Sequence, residues 1–410
     1  MNPPLLPCEL KTTVLVIGAG PAGSSAALAL RRAGVDVLLA DRCEFPRGKV
    51  CGDALIPDSL AALDQLGLKS TVTSASKLLD SIRIYAPNGS HVTFNGEFAC
   101  LPRSALDSIL QSAAVSAGAA FLAGHRAAAP ILCDGRICGA RFERAADHAG
   151  VAVRADLTFL ATGAAAGPLS AFGVRLRPKP SALAMRAYYR VPDNLARQLN
   201  CLCISYDRTI CPGFGWVFPG PDNVCNMGVG LFCDTRTPPP ANNLRELWSL
   251  FTQAFPPAGR IVREGHQVSP LKGAPLRTGL AGSRLHRPGL VVLGEAAGLT
   301  YPFSGEGIGK AMESGILAAQ LAAGRFSAGR TNTEEVGHSY ERTLRARYGE
   351  RYRAYKIAQD WLSYPAVCNL VAARANTSER LRLQLEAMLT EKASPRAIFS
   401  ALGLLRLLLR

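Results

Sequence analysis

The order of apolar and polar positions changes period twice between Thr12 and Arg42. "TTVLVIG" is a short β-branched apolar run, the pattern of a parallel strand buried on both faces. "PAGSSAALALRRAG" then has helical composition with a Gly stop, and "VDVLLAD" reads as a second strand. A similar succession returns near residue 300. There "PGLVVLGEAAGLTYPFSGEGIGKAMESGILAAQLAAG" predicts an apolar strand, a Gly-Glu-Ala-Ala turn, a Gly-rich loop and a long helix starting near Gly307. In "CPGFGWVFPGPDNVCNMGVG" the period is two, so Phe214, Trp216 and Phe218 share one face of a short strand and predict an apolar wall. Residues 331–410 have helical composition and finish in "AIFSALGLLRLLLR".

Composition narrows the picture. A chain of 410 residues divides into two or three compact units, since single cores rarely exceed roughly 250–300 residues. Apolar residues make up 48% and charged residues 19%, a globular balance, and no long uncharged apolar stretch predicts a membrane span. The net charge of +15 comes largely from scattered Arg, without the dense basic runs of a nucleic-acid arm, so no nucleic-acid partner is expected. An anionic head group, a phosphorylated substrate or a membrane surface suits that charge. The twelve cysteines lack a repeated Cys-x-x-Cys pattern, which predicts free thiols and no metal site. "MNPPLLPCELK" lacks the pattern of a signal peptide, so the cytoplasm is the expected compartment, with the protein free there or peripheral on the inner membrane face. The apolar tail before Arg410 is too short to span a bilayer; it suits either an interfacial helix or one packed on the protein's own body.

Gly18, Gly20 and Gly23, with Pro21 and Ala22 between them, have the Gly-x-Gly-x-x-Gly spacing of a dinucleotide cradle. The first glycine makes the turn, the second admits backbone to a pyrophosphate, and the third lets helix pack on strand. The diphosphate then meets free amides at a helix N-terminus. Asp41, at the end of the second strand, is placed for a ribose diol. This spacing alone serves FAD and nicotinamide equally.

The segment around residue 300 separates them. It resembles the second flavin signature of FAD-dependent oxidoreductases of the aromatic-hydroxylase type. That resemblance implies that Gly294 and Glu295 hold the ribityl chain or pyrophosphate, and that Gly305, Gly307 and Ile308 face the flavin ring; the family usually has Asp at the position of Glu295. "CLPRSALDSILQSAA" is similar to the family's strand-to-helix segment, which implies that Arg103 approaches FAD while Asp107 and Leu110 fix the helix. The alternative for Arg103 is a solvated surface arginine.

The stretch from Phe214 to Gly230 resembles the signature of geranylgeranyl reductases: Tyr, Trp and Phe-Pro at alternate positions, then seven or eight residues and Gly-x-Gly. Only Phe214 departs, standing where the family has Tyr. "FPRGKVCGDALIPDSLAALDQLGL" is also similar to that family, and the likeness implies a flavin-covering loop that carries Lys49, Cys51 and Gly52, with Arg42 just before it. Cys51 is then a proton relay or a positioning contact, and otherwise an inert buried thiol. "ADLTFLATGAAAGPL" has Ala161, Thr162 and Gly163 where flavin hydroxylases have Ala-Asp-Gly, which leaves the electron donor open between NADPH and reduced ferredoxin. The Trp-x-Trp-x-Ile-Pro stretch of flavin halogenases fails at Phe214 and Phe218.

The resemblance implies an α/β architecture: a Rossmann-like FAD-binding domain over 10–180 and 286–330, an α+β substrate domain over 181–285 with an antiparallel sheet above the flavin, and a C-terminal helical region over 331–410. It also implies hydride transfer from reduced FAD to the double bonds of a prenylated lipid or prenyl diphosphate, with Phe214, Trp216 and Cys51 as catalytic candidates. The alternatives are an FAD monooxygenase or halogenase acting on an aromatic or polyketide substrate, and a flavin-binding electron-transfer or lipid-carrier protein.

Overall fold

The computed structural model of the chain describes residues 8–233, 243–302, 304–328, 333–393, 395–400 and 403. Its first sheet has the strand order His286–Arg287, Leu290–Val292, Gly150–Leu160, Cys8–Ile17, Val37–Ala40 and Ala120–Leu122. From Leu290–Val292 to Ala120–Leu122 the pairing is parallel. Val14, Leu15 and Val16 have no exposed surface, as a strand covered on both faces requires. The helix Pro21–Arg32 returns from that strand and packs on the helix Ile308–Ser327. Gly315 makes the contact close, since a Cβ there would lie 2.2 Å from the Ala22 carbonyl oxygen.

The second sheet runs His266–Gln267, Ala182–Arg190, Val224–Phe232, Gly213–Pro219, Leu202–Ser205, Lys77–Tyr85, His91–Cys100 and Ala54–Leu55, with Lys272–Leu276 also paired to Ala182–Arg190. All of its pairings are antiparallel except that of Leu202–Ser205 with Lys77–Tyr85. This sheet extends beyond the residues 181–285 expected to form it, because three of its strands come from the chain before residue 101.

Its two faces have different partners. Ala187, Val217, Met227 and Val229, all fully buried, face the helices Leu244–Ala254 and Pro256–Glu264 and form a separate core with Phe251. Each large apolar side chain sealed in this way contributes roughly 1.5–3 kcal/mol. The opposite face joins the core of the first sheet. Helices Glu334–Leu362, Pro365–Thr377 and Glu379–Leu389 complete the chain, and the last two contact the strand His91–Cys100. Among the described residues no helix is long and apolar enough to cross a membrane. Residues 401, 402 and 404–410 of the tail lie outside the described residues.

Candidate active site

The glycine turn closes as its spacing predicts. Gly18 has φ +106°, and a Cβ on it would lie 2.4 Å from the Ala161 oxygen. A Cβ on Gly23 would lie 1.8 Å from the Gly18 oxygen, so the helix and the turn share backbone contact. Gly20 differs: its nearest neighbours would be guanidinium nitrogens of Arg47 and Arg103, 3.6 and 3.8 Å away. Gly20 is also the N-cap of the helix that begins at Pro21, and no side chain caps that end. An open face, uncapped amides and two arginines suit an anionic diphosphate.

Asp41 has partners within the chain. Its Oδ2 accepts from the Ala19 amide at 2.8 Å and its Oδ1 from the Cys43 amide at 2.9 Å, tying the turn to the next loop. Arg103 is buried, not solvated, and holds Asp107 through two hydrogen bonds of 2.7 and 2.8 Å. Arg47 also reaches Asp107, at 3.1 Å. Sequence reasoning passed over Arg47, whose position inside the loop that starts at Phe45 was its only signal. Arg42 is exposed beside Asp41.

Lys49 pairs with Glu295 Oε2 at 3.2 Å, while Glu295 Oε1 is buried without a hydrogen-bond partner. Thr162 Oγ1, in the neighbouring turn, is a second buried atom without a partner. Unused polar atoms of this kind suit the hydroxyls and carbonyls of a bound ribityl-flavin. Gly294 has φ +59° and meets Ala22; Gly305 has φ +66° and its Cβ position lies 3.3 Å from the Phe214 ring. Gly307 is the N-cap of the helix whose first residue, Ile308, is buried.

Strand register explains the aromatic motif. Phe214 lies opposite Gly230 and Trp216 opposite Gly228. A Cβ on Gly228 would lie 2.1 Å from the Trp216 indole, and one on Gly230 would lie 2.7 Å from the Phe214 ring. The two glycines are therefore the floor on which the rings lie. Phe214, Trp216 and Phe218 form one wall, with ring centroids 5.9 and 6.3 Å apart. At its far side Phe214 meets Tyr206, which lines an apolar cavity of about 70 Å³ with Ile84, Phe94, Val371, Leu385 and Met388.

A polar network closes the other side. Trp216 Nε1 donates to Asn226 Oδ1 at 2.9 Å, and Asn226 Nδ2 donates to the Cys51 carbonyl and to Asp53 Oδ2, both at 2.7 Å. Tyr188 donates its hydroxyl to Asp53 Oδ2 at 2.5 Å, and the Arg103 amide reaches Asp53 Oδ1 at 3.3 Å. Burial pushes the Asp53 carboxyl up to about 6, against the pull of these hydrogen bonds and of the Arg186 and Arg103 charges. Asp53, Asn226 and Tyr188 escaped sequence reasoning; Asp53 follows Cys51-Gly52 directly, but the other two carry no local signal.

Behind the Gly305–Ile308 loop, Lys310 sits among carboxylates. Its Nζ lies 2.7 Å from Glu313, 2.8 Å from Glu391 and 3.4 Å from Asp58. Although burial pulls the other way, these charges hold the ammonium above the ordinary lysine range. Burial pushes Asp58 up to about 6 and Glu306 well above the ordinary glutamate range. Asp58, Glu313 and Glu391 lie close enough together to suggest a metal site, yet Lys310 already supplies their cation.

A family model described as "FAD binding domain" matches residues 11–183. The chain is 31% identical to a menaquinone reductase of Mycobacterium tuberculosis over 384 residues, covering 86% of this chain and 84% of that protein. It is 26% identical to digeranylgeranylglycerophospholipid reductase 1 of Methanothermobacter thermautotrophicus, covering 85% and 86%. Among solved structures, a geranylgeranyl bacteriochlorophyll reductase-like protein from Thermoplasma acidophilum superposes with a TM-score of 0.76 at 20% identity, over 98% of this chain and 96% of that one. A flavin-dependent brominase reaches the same TM-score at 19% identity, over 95% and 97%, so likeness of fold alone does not separate the chemistries.

Proposed function

This chain belongs to the geranylgeranyl reductase family of FAD-dependent oxidoreductases, and from that premise we propose that it saturates carbon–carbon double bonds in a prenyl chain. Bound FAD, once reduced, supplies the hydride. Gly18, Gly20, Gly23, Arg47 and Arg103 would hold its diphosphate, with Pro21 and Ala22 starting the helix there. Asp41, beside Arg42, would take the ribose; Lys49, Glu295, Gly294 and Thr162 would hold the ribityl chain; Gly305, Gly307 and Ile308 would lie against the ring.

The observation that carries the proposal is the Phe214–Trp216–Phe218 wall, seated on Gly228 and Gly230, with Tyr206 between Phe214 and an apolar cavity. An isolated alkene offers no carbonyl to polarise, so the protein must position it in a dry slot and provide a proton. An apolar ring wall suits that task for a hydrocarbon chain. Cys51 and Gly52 close the slot: a Cβ on Gly52 would lie 2.9 Å from Phe218. The carrier of the chain would be a lipid or quinone, in keeping with the relatives' names. The basic excess of residues 331–410, 13 against 8 acidic, suits work at the cytoplasmic face of a membrane. The donor is NADPH or reduced ferredoxin, and Thr162 in place of the hydroxylases' Asp weakens the case for direct nicotinamide reduction.

The test is anaerobic mixing of chemically reduced holoprotein with geranylgeranyl diphosphate and, separately, with an unsaturated menaquinone. Flavin reoxidation with products heavier by pairs of hydrogens is the expected result. Reoxidation only on admitting air, with an oxygenated or halogenated aromatic product, would replace the proposal with the monooxygenase or halogenase reading. Trp216→Ala is expected to keep FAD, lose roughly 3–5 kcal/mol of stability and reduce turnover by at least about 100-fold. Trp216→Phe, which keeps apolar area, should recover much of both; turnover unchanged in the Ala variant would reduce Trp216 to packing.

A further inference from the structure

The reading above leaves the proton unassigned, and the inference drawn here rests on that reading. We propose that Tyr188 is the catalytic acid of alkene reduction and that Asp53 is the proton store that recharges it. Strand register places Tyr188 opposite Asn226, which lies opposite Phe218, so the phenol is on the same face of the sheet as the aromatic wall. Tyr188 is half-buried, whereas Asp53 is buried, and the two share the 2.5 Å hydrogen bond. Tyr188 is thus the member of the pair that substrate can touch.

Asp53 is held by unusual means. It has φ +68°, a left-handed conformation less strained for Asp than for most residues, and its surroundings fix the carboxyl. Those surroundings are the Arg103 amide, Asn226 and Tyr188, drawn from three separate elements. Arg186 stacks over the Tyr188 ring at 4.1 Å, and its buried Nε has no hydrogen-bond partner. A cation over the ring favours the phenolate that forms as the proton leaves. Burial and the Asp53 charge raise the Tyr188 hydroxyl above its ordinary range, so the phenol is a useful acid only while Asp53 is itself protonated. Cys51 on the same loop and Cys100 on the strand His91–Cys100 are the other titratable groups near Asp53, alongside Arg103 and Arg186.

The atoms balance. A hydride with its electron pair arrives at one alkene carbon, and the π pair of the broken double bond takes the Tyr188 proton at the other. The phenolate takes the proton of Asp53, and the carboxylate is recharged from solvent. One double bond becomes two C–H bonds, and the flavin is the group oxidised.

Turnover with whichever probe the wild type reduces, geranylgeranyl diphosphate or menaquinone, should fall as pH rises through about 6, the pH at which Asp53 ionises. Tyr188→Phe keeps the ring and the stacking, so FAD content should hold while kcat drops about 100-fold or more. Asp53→Asn should lower kcat and abolish the limb near pH 6. A Tyr188→Phe kcat within twofold of wild type overturns the proposal, as does an unchanged pH limb in Asp53→Asn; Cys51→Ala losing the proton step instead would move the role to Cys51. Melting of the FAD-loaded variants tests the store without turnover. A carboxyl raised on folding stabilises below its unfolded pKa and loses that contribution as pH rises through the folded value. The Tm of Asp53→Asn minus that of wild type should therefore grow from pH 4 to pH 7, and a constant difference overturns the store. If the wild type reduces neither probe, the functional reading fails, and the melting result still decides whether Asp53 holds a proton near neutrality.

Discussion

Gly20→Val is expected to fold like the wild type and purify colourless. Gly20 has φ −79° and ψ −171°, extended values that any residue adopts, and a Cβ there would meet nothing nearer than Arg47 at 3.6 Å. The empty fold therefore accommodates valine. A diphosphate lying on the helix N-terminus cannot, because the branched side chain would occupy the gap between the uncapped amides and the two guanidinium groups. We expect FAD affinity to fall by at least about 100-fold, roughly 3 kcal/mol, with the melting temperature of the cofactor-free protein within a degree or two of its parent. Gly23→Ala is the contrast, since its Cβ would lie 1.8 Å from a backbone oxygen and must disturb the turn itself. Colour and FAD content equal to wild type in Gly20→Val would remove this assignment of the cradle.

The second large effect is on stability. Lys310→Met removes a fully buried ammonium from three carboxylates within 3.4 Å of it. Replacing a buried ion pair as a unit is often neutral, but taking one partner away strands the others, at about 3–5 kcal/mol. Without Lys310 the carboxyls of Asp58 and Glu306, already raised by burial, rise further above their unfolded values. Their contribution is then present at low pH and lost as pH rises through the new folded values, so the deficit should be largest at pH 8 and shrink toward pH 5. Denaturant melts of both proteins at the two pH values measure it. A deficit that is small, or that grows on acidification, would mean that Lys310 does not supply the cluster's charge. The loop from Gly305 to Ile308, proposed above to lie against the flavin ring, leads into the helix that carries Lys310, so some loss of FAD retention should accompany the loss of stability.

Legibility differed from residue to residue for physical reasons. Gly18, Gly20 and Gly23 were readable because a tight turn and a close helix impose steric rules within six residues. The helix at Ile308 and the alternation from Phe214 to Phe218 were readable for the same local reason. The spacing of Gly228 and Gly230 was visible, but its cause was not: it appears only when the antiparallel register lays the Trp216 and Phe214 rings across them. Lys310 reads in sequence as one more helix-surface lysine, and it is buried because residues 58 and 391 converge on its helix. The strands Lys77–Tyr85 and His91–Cys100 belong to the second sheet through pairing with Leu202–Ser205, more than a hundred residues away.

By itself, then, the sequence determined the glycine turn and the aromatic strand, since each rests on backbone geometry or side-chain period over a few neighbouring positions, while the α/β class was read through resemblance to a known family. Only the tertiary structure decided that Arg47 joins Arg103 at Gly20, that Asp53 meets Tyr188 and Asn226 across 135 and 173 residues, and that Lys310 is buried among acids. Desolvation and charge pairing depend on which distant segments close over a group, and that closure leaves no mark in the residues on either side of it.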